Sequence, residues 1–85
     1  MSFSLRIKAS AAKELERVPQ SHRLRIVTAI DRLADFPLAG STLKGDLRGL
    51  RRLRVGDYRI LYEVRNNDLV VLVVRIAHRR DAYRH

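Results

Sequence analysis

Eighty-five residues, 46% of them hydrophobic, suffice for one modest core and leave no room for a second, so residues 1–85 are expected to form a single domain. The chain has no cysteine, which excludes disulfides and thiolate metal sites and suits a reducing compartment. A formal net charge of +9, from 18 basic and 9 acidic residues, points to a polyanionic partner. With no 18-residue apolar run and no signal-peptide pattern, the expected location is the cytoplasm.

Taken in chain order, Phe3-Ser4-Leu5-Arg6-Ile7-Lys8 alternates apolar and polar residues as a half-buried strand does, with Phe3, Leu5 and Ile7 inward. Ser10 is placed to cap a short helix over residues 11–18, whose apolar stripe is Ala11, Leu15 and Val18. Pro19 ends it. A second helix is predicted over residues 20–35, with Ile26, Val27, Ile30, Leu33 and Ala34 at helical spacing and Pro37 as its stop. His22, near its start, has no partner at ligand-like spacing and reads as solvated. The two helices form an antiparallel hairpin across a turn of two or three residues, able to cover one side of a sheet.

Residues 38–49, with Gly40, Gly45 and Gly49, read as a loop. Two alternating runs then meet at Gly56-Asp57, which predicts a β-hairpin over residues 50–65. Leu53 and Val55 share one face of its first strand, and Leu50, Arg52 and Arg54 the other. In its second strand Tyr58, Ile60, Tyr62 and Val64 lie together, opposite Arg59, Leu61 and Glu63. If the register pairs the apolar rows, Arg52, Arg54 and Arg59 converge on the outward face, where three like charges make most sense around an anion. Asn66-Asn67-Asp68 supplies turn residues that tolerate positive φ. The aliphatic run Leu69 to Ile76 is a central strand, expected to be buried on both faces over most of its length, with Arg75 paired to an acidic residue such as Glu63. The architecture is therefore α+β, in the order β-α-α-β-β-β, with a helical hairpin packed on a largely antiparallel, curved sheet.

Residues 47–85 hold ten basic and four acidic residues, and all ten are arginine. The planar guanidinium fork matches phosphate bidentately, so this bias favours a phosphodiester or carboxylate partner. With only Asp57, Glu63, Asp68 and Asp81 as acids in that half and no metal-ligand spacing, neither a metal nuclease nor a bound cofactor is indicated.

The segments Leu53-Arg54-Val55-Gly56-Asp57-Tyr58-Arg59-Ile60-Leu61-Tyr62-Glu63-Val64 and Ile76-Ala77-His78-Arg79-Arg80-Asp81-Ala82-Tyr83 resemble the RelE/ParE superfamily of toxins, and its RelE branch most closely. The resemblance extends over the whole chain in length and element order and implies the compact RelE-like fold. It implies the toxin of a type II toxin-antitoxin pair, a ribosome-dependent endoribonuclease that cuts mRNA in the ribosomal A site and so inhibits translation. The reaction it implies needs no metal: the ribose 2′-hydroxyl attacks the adjacent phosphorus and the 5′-oxygen leaves, giving a 2′,3′-cyclic phosphate. A RelB-like acidic antitoxin, the ribosome and mRNA are the implied partners. Alternatives from other classes are a ParE-like inhibitor of DNA gyrase and a catalytically silent RNA- or ribosome-binding module.

By motif position the resemblance puts Arg59 on the scissile phosphate, Arg79 on the same phosphate, and Tyr83 against a substrate base. Arg52 and Arg54 match positions that are lysine in some members. Arg51, Lys44, Arg54 and Arg80 are expected to contact the RNA backbone. Since arginine stays protonated to a pH above about 12, it stabilises charge but is a poor base. His78, ordinarily titrating near pH ~6.5, is the first candidate for proton transfer, and Tyr83 the second. A third option is that no strong base exists and positioning supplies most of the rate.

Overall fold

The computed structural model describes residues 2–81. Its elements are β1 (Ser4–Ile7), α1 (Ala9–Glu16), α2 (Gln20–Leu33), β2 (Ser41–Thr42), a 3₁₀ turn (Gly45–Leu47), β3 (Arg51–Val55), β4 (Tyr58–Arg65) and β5 (Val70–His78). The five strands form one mixed sheet in the order β1-β5-β4-β3-β2. Only the β1–β5 pair is parallel. The predicted α+β order holds, with one strand added: β2 is cut from the expected loop and pairs Ser41 with Arg52 and Thr42 with Arg51.

The core is the seam between the helical hairpin and one face of the sheet. Ala11 of α1 and Val18 after it, Ile26 and Leu33 of α2, Ile60 and Tyr62 of β4, and Val71, Val73 and Ile76 of β5 are all buried in one cluster. Periodicity places those of the helices and of β4 inward, whereas Val71, Val73 and Ile76 share the inner face of β5 only because its register shifts by one residue between Val73 and Arg75. The turn between the helices is three residues long and closed by Arg23, whose Nε and Nη2 donate to Val18 O at 3.2 and 3.0 Å and whose Nη2 also donates to Glu16 O at 3.1 Å.

Several local expectations are corrected. Lys8, not Ser10, is the N-cap of α1, and it makes no side-chain capping bond. The reason lies in β1: Lys8 N–H donates to Val73 O while Lys8 O accepts from Ala12 N–H, so the helix begins directly where the sheet ladder ends. Ile7, the last residue of an edge strand, is exposed rather than inward, and Val27 lies outside the α2 stripe, whose inner line is Ile26, Ile30 and Leu33. His22 is half-buried against the ring of Tyr58 instead of solvated. The turn before β5 carries its positive φ on Leu69 (53°) rather than on Asn66, Asn67 or Asp68. β5 is deeply buried on its inner face; on the outer face Ala77 is buried, but Val70, Leu72 and Val74 are half-buried.

Arg75 is not paired with Glu63. Glu63 is engaged by Arg65 at 2.7 Å, while Arg75 Nε faces Glu14 Oε2 at 3.6 Å. Parallel pairing with β1 ends at Val73, and among the described residues no strand covers the rest of that β5 edge. There Glu14 Oε1 accepts the Ile76 N–H at 2.9 Å. One helix carboxylate thus supplies an acceptor that a neighbouring strand would otherwise provide.

Glu14→Ala removes that acceptor from a half-buried N–H and is expected to lower unfolding free energy by about 1–3 kcal/mol, whereas Glu14→Gln, which retains an amide oxygen, should lose less. Urea denaturation of both variants measures the difference, and equal losses would deny Glu14 this role.

Candidate functional site

Gly56 has φ +58° and Asp57 does not share a positive φ, the signature of a two-residue hairpin turn with glycine first. That turn fixes the β3–β4 register: Val55 opposite Tyr58, Arg54 opposite Arg59, Leu53 opposite Ile60, Arg52 opposite Leu61. Because the pair closing such a turn is hydrogen-bonded, Arg54 and Arg59 occupy the next, closer kind of pair, with Cβ atoms about 5 Å apart. Arg52 shares their face two residues away. The sheet therefore brings Arg52, Arg54 and Arg59 together on its outer side.

The floor between them is apolar. Leu61 and Ala77, both on this face, are 2% and 8% exposed yet lie outside the main core cluster. Arg59 stands opposite Ala77 and Leu61 opposite Arg75, so the guanidiniums rise from the margins of a small hydrophobic floor. Their aliphatic stems can lie along it while the charged ends reach solvent. Arg79 joins from one end: its N–H donates to Asp57 O at 2.7 Å, extending the ladder one residue past β5, and its Nη1 lies 3.9 Å from the Asp57 carboxylate. Both side chains are exposed, so this weak pair leaves Arg79 available to a phosphate.

Four other candidates are placed elsewhere. Arg51 lies on the inner side, opposite Tyr62, where its Nη1 donates to Gly40 O at 2.7 Å. His78 is in register with Tyr58 and also has inward parity; its ring meets Tyr58 edge-on at 5.5 Å, and Tyr58 meets His22 at the same distance. The sheet separates this aromatic row from Arg54 and Arg59. Lys44 is exposed at the head of the 3₁₀ turn. Arg80 is exposed beyond β5, its N–H directed at His78 Nδ1 at 3.4 Å. Tyr83 lies outside the described residues. Among the described residues no three His, Cys, Asp or Glu side chains come together as a metal-ligand set.

Sequence reasoning placed Tyr62 in the core but missed its hydroxyl. The ring is fully buried, and its Oη donates to Pro37 O and accepts from Gly40 N–H, both at 2.8 Å. These bonds strap residues 37–40 onto the sheet beside Arg52. A Cβ at Gly40 would lie 2.6 Å from Arg52 O, so the strap requires glycine there. A tyrosine in an otherwise aliphatic row was the available signal, since a buried hydroxyl needs partners. On the other side of the strap, an open apolar groove of ≈720 Å³ runs between α2 and β3, with Phe36 and Leu38 60% and 63% exposed and Arg54 on its rim.

Residues 5–83 match the family model described as the ParE toxin of the type II toxin-antitoxin system parDE. Two proteins of Mycobacterium tuberculosis are similar along nearly the whole chain. Toxin RelE is 33% identical over 96% of this chain and 87% of its own length, and toxin RelG 31% identical over 99% of each. Among solved structures, a chain of the RelBE2 toxin-antitoxin complex from the same organism superposes with a TM-score of 0.86 at 26% identity, covering 92% of this chain and 99% of that one.

Burial holds the Tyr62 hydroxyl above its ordinary pKa of 10.0, outweighing the opposing pull of the Gly40 N–H and of Arg51. A raised pKa in the folded state means that this contribution is complete below pH ~10 and is lost as pH rises through the folded value. Tyr62→Phe is therefore expected to destabilise by about 1–3 kcal/mol at pH 7, by leaving the Gly40 N–H without its acceptor, and to flatten the loss of stability above pH ~10. Urea titrations at pH 7 and pH 10.5 read both effects, and an unchanged alkaline slope would contradict the assignment.

Proposed function

The chain belongs to the RelE branch of the RelE/ParE superfamily of type II toxin-antitoxin toxins, and from that premise we propose that it is a ribosome-dependent endoribonuclease that cleaves mRNA in the A site and works in the cytoplasm. The observation that carries this reading is the Arg54–Arg59 cross-strand pair, with Arg52 beside it on the same outer face. Like charges directly opposite one another weaken a sheet unless an anion sits between them. A phosphodiester is such an anion.

In this reading the ribose 2′-oxygen attacks the adjacent phosphorus in line. The P–O5′ bond breaks, and the products are a 2′,3′-cyclic phosphate and a 5′-hydroxyl, with no metal required. Charge grows on the non-bridging oxygens as the transition state forms, and preorganised guanidiniums aimed there lower the barrier by a few kcal/mol each. Arg59 and Arg54 hold the scissile phosphate. Arg52 and Arg79 approach it from either side, and Lys44 and Arg80 serve the flanking backbone. Tyr83 keeps the base-stacking role that family resemblance implies. Arg51, bound to Gly40 O, supports the strap rather than the RNA. His78 has inward parity, so the 2′-proton passes to water and the rate comes from electrostatics and from positioning on the ribosome.

The partner of the free toxin is an acidic, RelB-like antitoxin. Charge attracts it to the arginine face, and the exposed Phe36 and Leu38 beside Arg54 offer apolar anchorage. The matching family model is named for ParE toxins, which keeps DNA gyrase as the competing target.

Primer extension on a defined mRNA in a reconstituted translation reaction, with and without ribosomes, tests the reading. Arg59→Ala should reduce cleavage at least 100-fold, as loss of one oxyanion donor does, while thermal unfolding stays cooperative. Intact mRNA with active wild-type toxin would instead send the search to DNA supercoiling. His78→Gln should leave the pH profile of cleavage unchanged; loss of a limb from that profile would restore histidine as the base. Phe36→Ser should weaken antitoxin binding about tenfold or more while leaving RNA cleavage intact, since it removes a largely apolar contact. Calorimetric titration with the antitoxin measures that loss.

A further inference from the structure

The basic surface does not end at the hairpin turn. Arg25, on the second turn of α2, lays its guanidinium against the turn glycine: a Cβ at Gly56 would stand 3.6 Å from its Nη1 and 4.0 Å from its Cζ and Nη2. Gly56 is two residues, about 7 Å of strand, from Arg54. On the other flank of the same turn the Arg79 N–H donates to Asp57 O at 2.7 Å. The tip of the hairpin therefore stands between an arginine of the helix layer and one that follows β5. Further along α2 is Arg32. Among the described residues the guanidiniums of Arg25 and Arg32 make no hydrogen bond or ion pair, and both residues are exposed.

These two arginines bound a shallow cleft of ≈380 Å³, lined by Leu24, Arg25, Thr28, Ala29, Arg32 and Val55. They are its only charged groups. Seven residues apart, they lie on one side of the helix at a separation of about 10 Å. Thr28 Oγ1 donates to Leu24 O at 2.9 Å, so its proton is used within the helix and the floor between the cations is mainly the aliphatic Leu24, Ala29 and Val55. The way from Arg54 to this cleft is open. β2 pairs only with Arg51 and Arg52, so among the described residues no strand flanks β3 on that side from Leu53 to Val55. Gly56 is exposed and presents no side chain. Charge then decides what the cleft suits: two cations without an acid favour a chain of phosphates. The groove at the other end of α2 differs, because Asp35 joins Arg32 there beside the exposed Phe36 and Leu38, a mixture better suited to a protein segment.

We propose that Arg25 and Arg32 hold backbone phosphates of the RNA on one side of the cut, so that the strand leaves the outer face around the Gly56 end of β3 and runs along α2. Single strands are bound in this manner, by cations that follow the backbone and by apolar surface under the sugars and bases. Such contacts read no sequence. They fix the direction and register of the strand, which is what an in-line attack at the phosphate between Arg54 and Arg59 requires. The proposal rests on the RNA-cleavage reading and extends its binding site from the sheet to the helix layer.

The test is binding of the isolated toxin to 2′-O-methyl RNA of about eight nucleotides, which the reaction cannot cleave, followed by fluorescence anisotropy as salt rises. The slope of log affinity against log salt should shrink by about 0.7 in Arg25→Gln and again in Arg32→Gln, the amount expected for one phosphate contact to a single strand. Arg25→Lys keeps the charge and should restore the slope. Lys13→Gln removes the same charge from an exposed site on α1 and should leave the slope unchanged. Thermal unfolding of the Arg25 and Arg32 variants should match wild type, since neither guanidinium has a partner in the fold. Absence of salt-dependent binding by the wild type, an unchanged slope in Arg25→Gln, or an equal fall in Lys13→Gln would each overturn the proposal. Calorimetric titration with the antitoxin covers the other occupant: weakened antitoxin binding by Arg25→Gln with an unchanged RNA slope would assign this cleft to the antitoxin instead. The binding measurement needs no cleavage, so a toxin that leaves mRNA intact while Arg25→Gln lowers the salt slope would fail the RNase reading and retain the strand path.

Discussion

The register between β3 and β4 is the constraint on which the molecule depends. Side chains alternate faces with a period of two, so a single pairing sends Leu53, Ile60 and Tyr62 into the core and Arg52, Arg54 and Arg59 out of it. A slip of one residue would bury guanidiniums and expose the apolar row. The hydrophobic free energy that stabilises the fold is therefore also what holds mutually repelling arginines in place. Neither the core nor the arginine face needs its own device to secure alignment, because the Gly56-Asp57 turn sets both together.

Around that pairing the protein divides its polar groups by task. Groups with fixed partners serve the frame: Arg23 closes the helical hairpin, Arg51 and the Tyr62 hydroxyl hold the strap, and Glu14 completes the edge of β5. The outer arginines lie on the face away from the main core, with Arg54 exposed and Arg52 and Arg59 half-buried. This explains how a strongly basic face is carried by an 85-residue chain without a buried charge, since none of the described buried residues is polar in class.

Much of this was legible in the sequence because it follows from periodicity. The hairpin, its turn, the inward tyrosines and the convergence of Arg52, Arg54 and Arg59 all derive from a two-residue repeat that survives in the fold. What escaped was decided by partners distant in the chain. Glu14 meets Ile76 across 62 residues and displaces the expected Arg75–Glu63 pair; no local pattern announces that contact. β2 is two residues long, too short to show alternation. His78 follows the last aliphatic run and reads as a group delivered to the arginines. Yet the bulge in β5 between the partners of Leu61 and Tyr62 shifts parity by one, and a bulge has no signature in an unbroken Val-Val-Leu-Val-Val run. Without that extra residue the aliphatic run and the His78 end of the strand would follow one unbroken alternation.

The carboxylate at the end of β5 also bears on how this small sheet meets other chains. An edge strand with open N–H and C=O groups invites a foreign strand to pair with it. Here one outer strand is four residues long and the other two, and past Val73 the remaining length of β5 meets a helix side chain at Ile76 N–H. A strand docking at that stretch must first displace Glu14 from both Ile76 and its position facing Arg75. Extension of the sheet by another molecule is thus opposed by a charge already seated there, which favours a protein that meets its partners through faces and side chains over one that polymerises through its backbone.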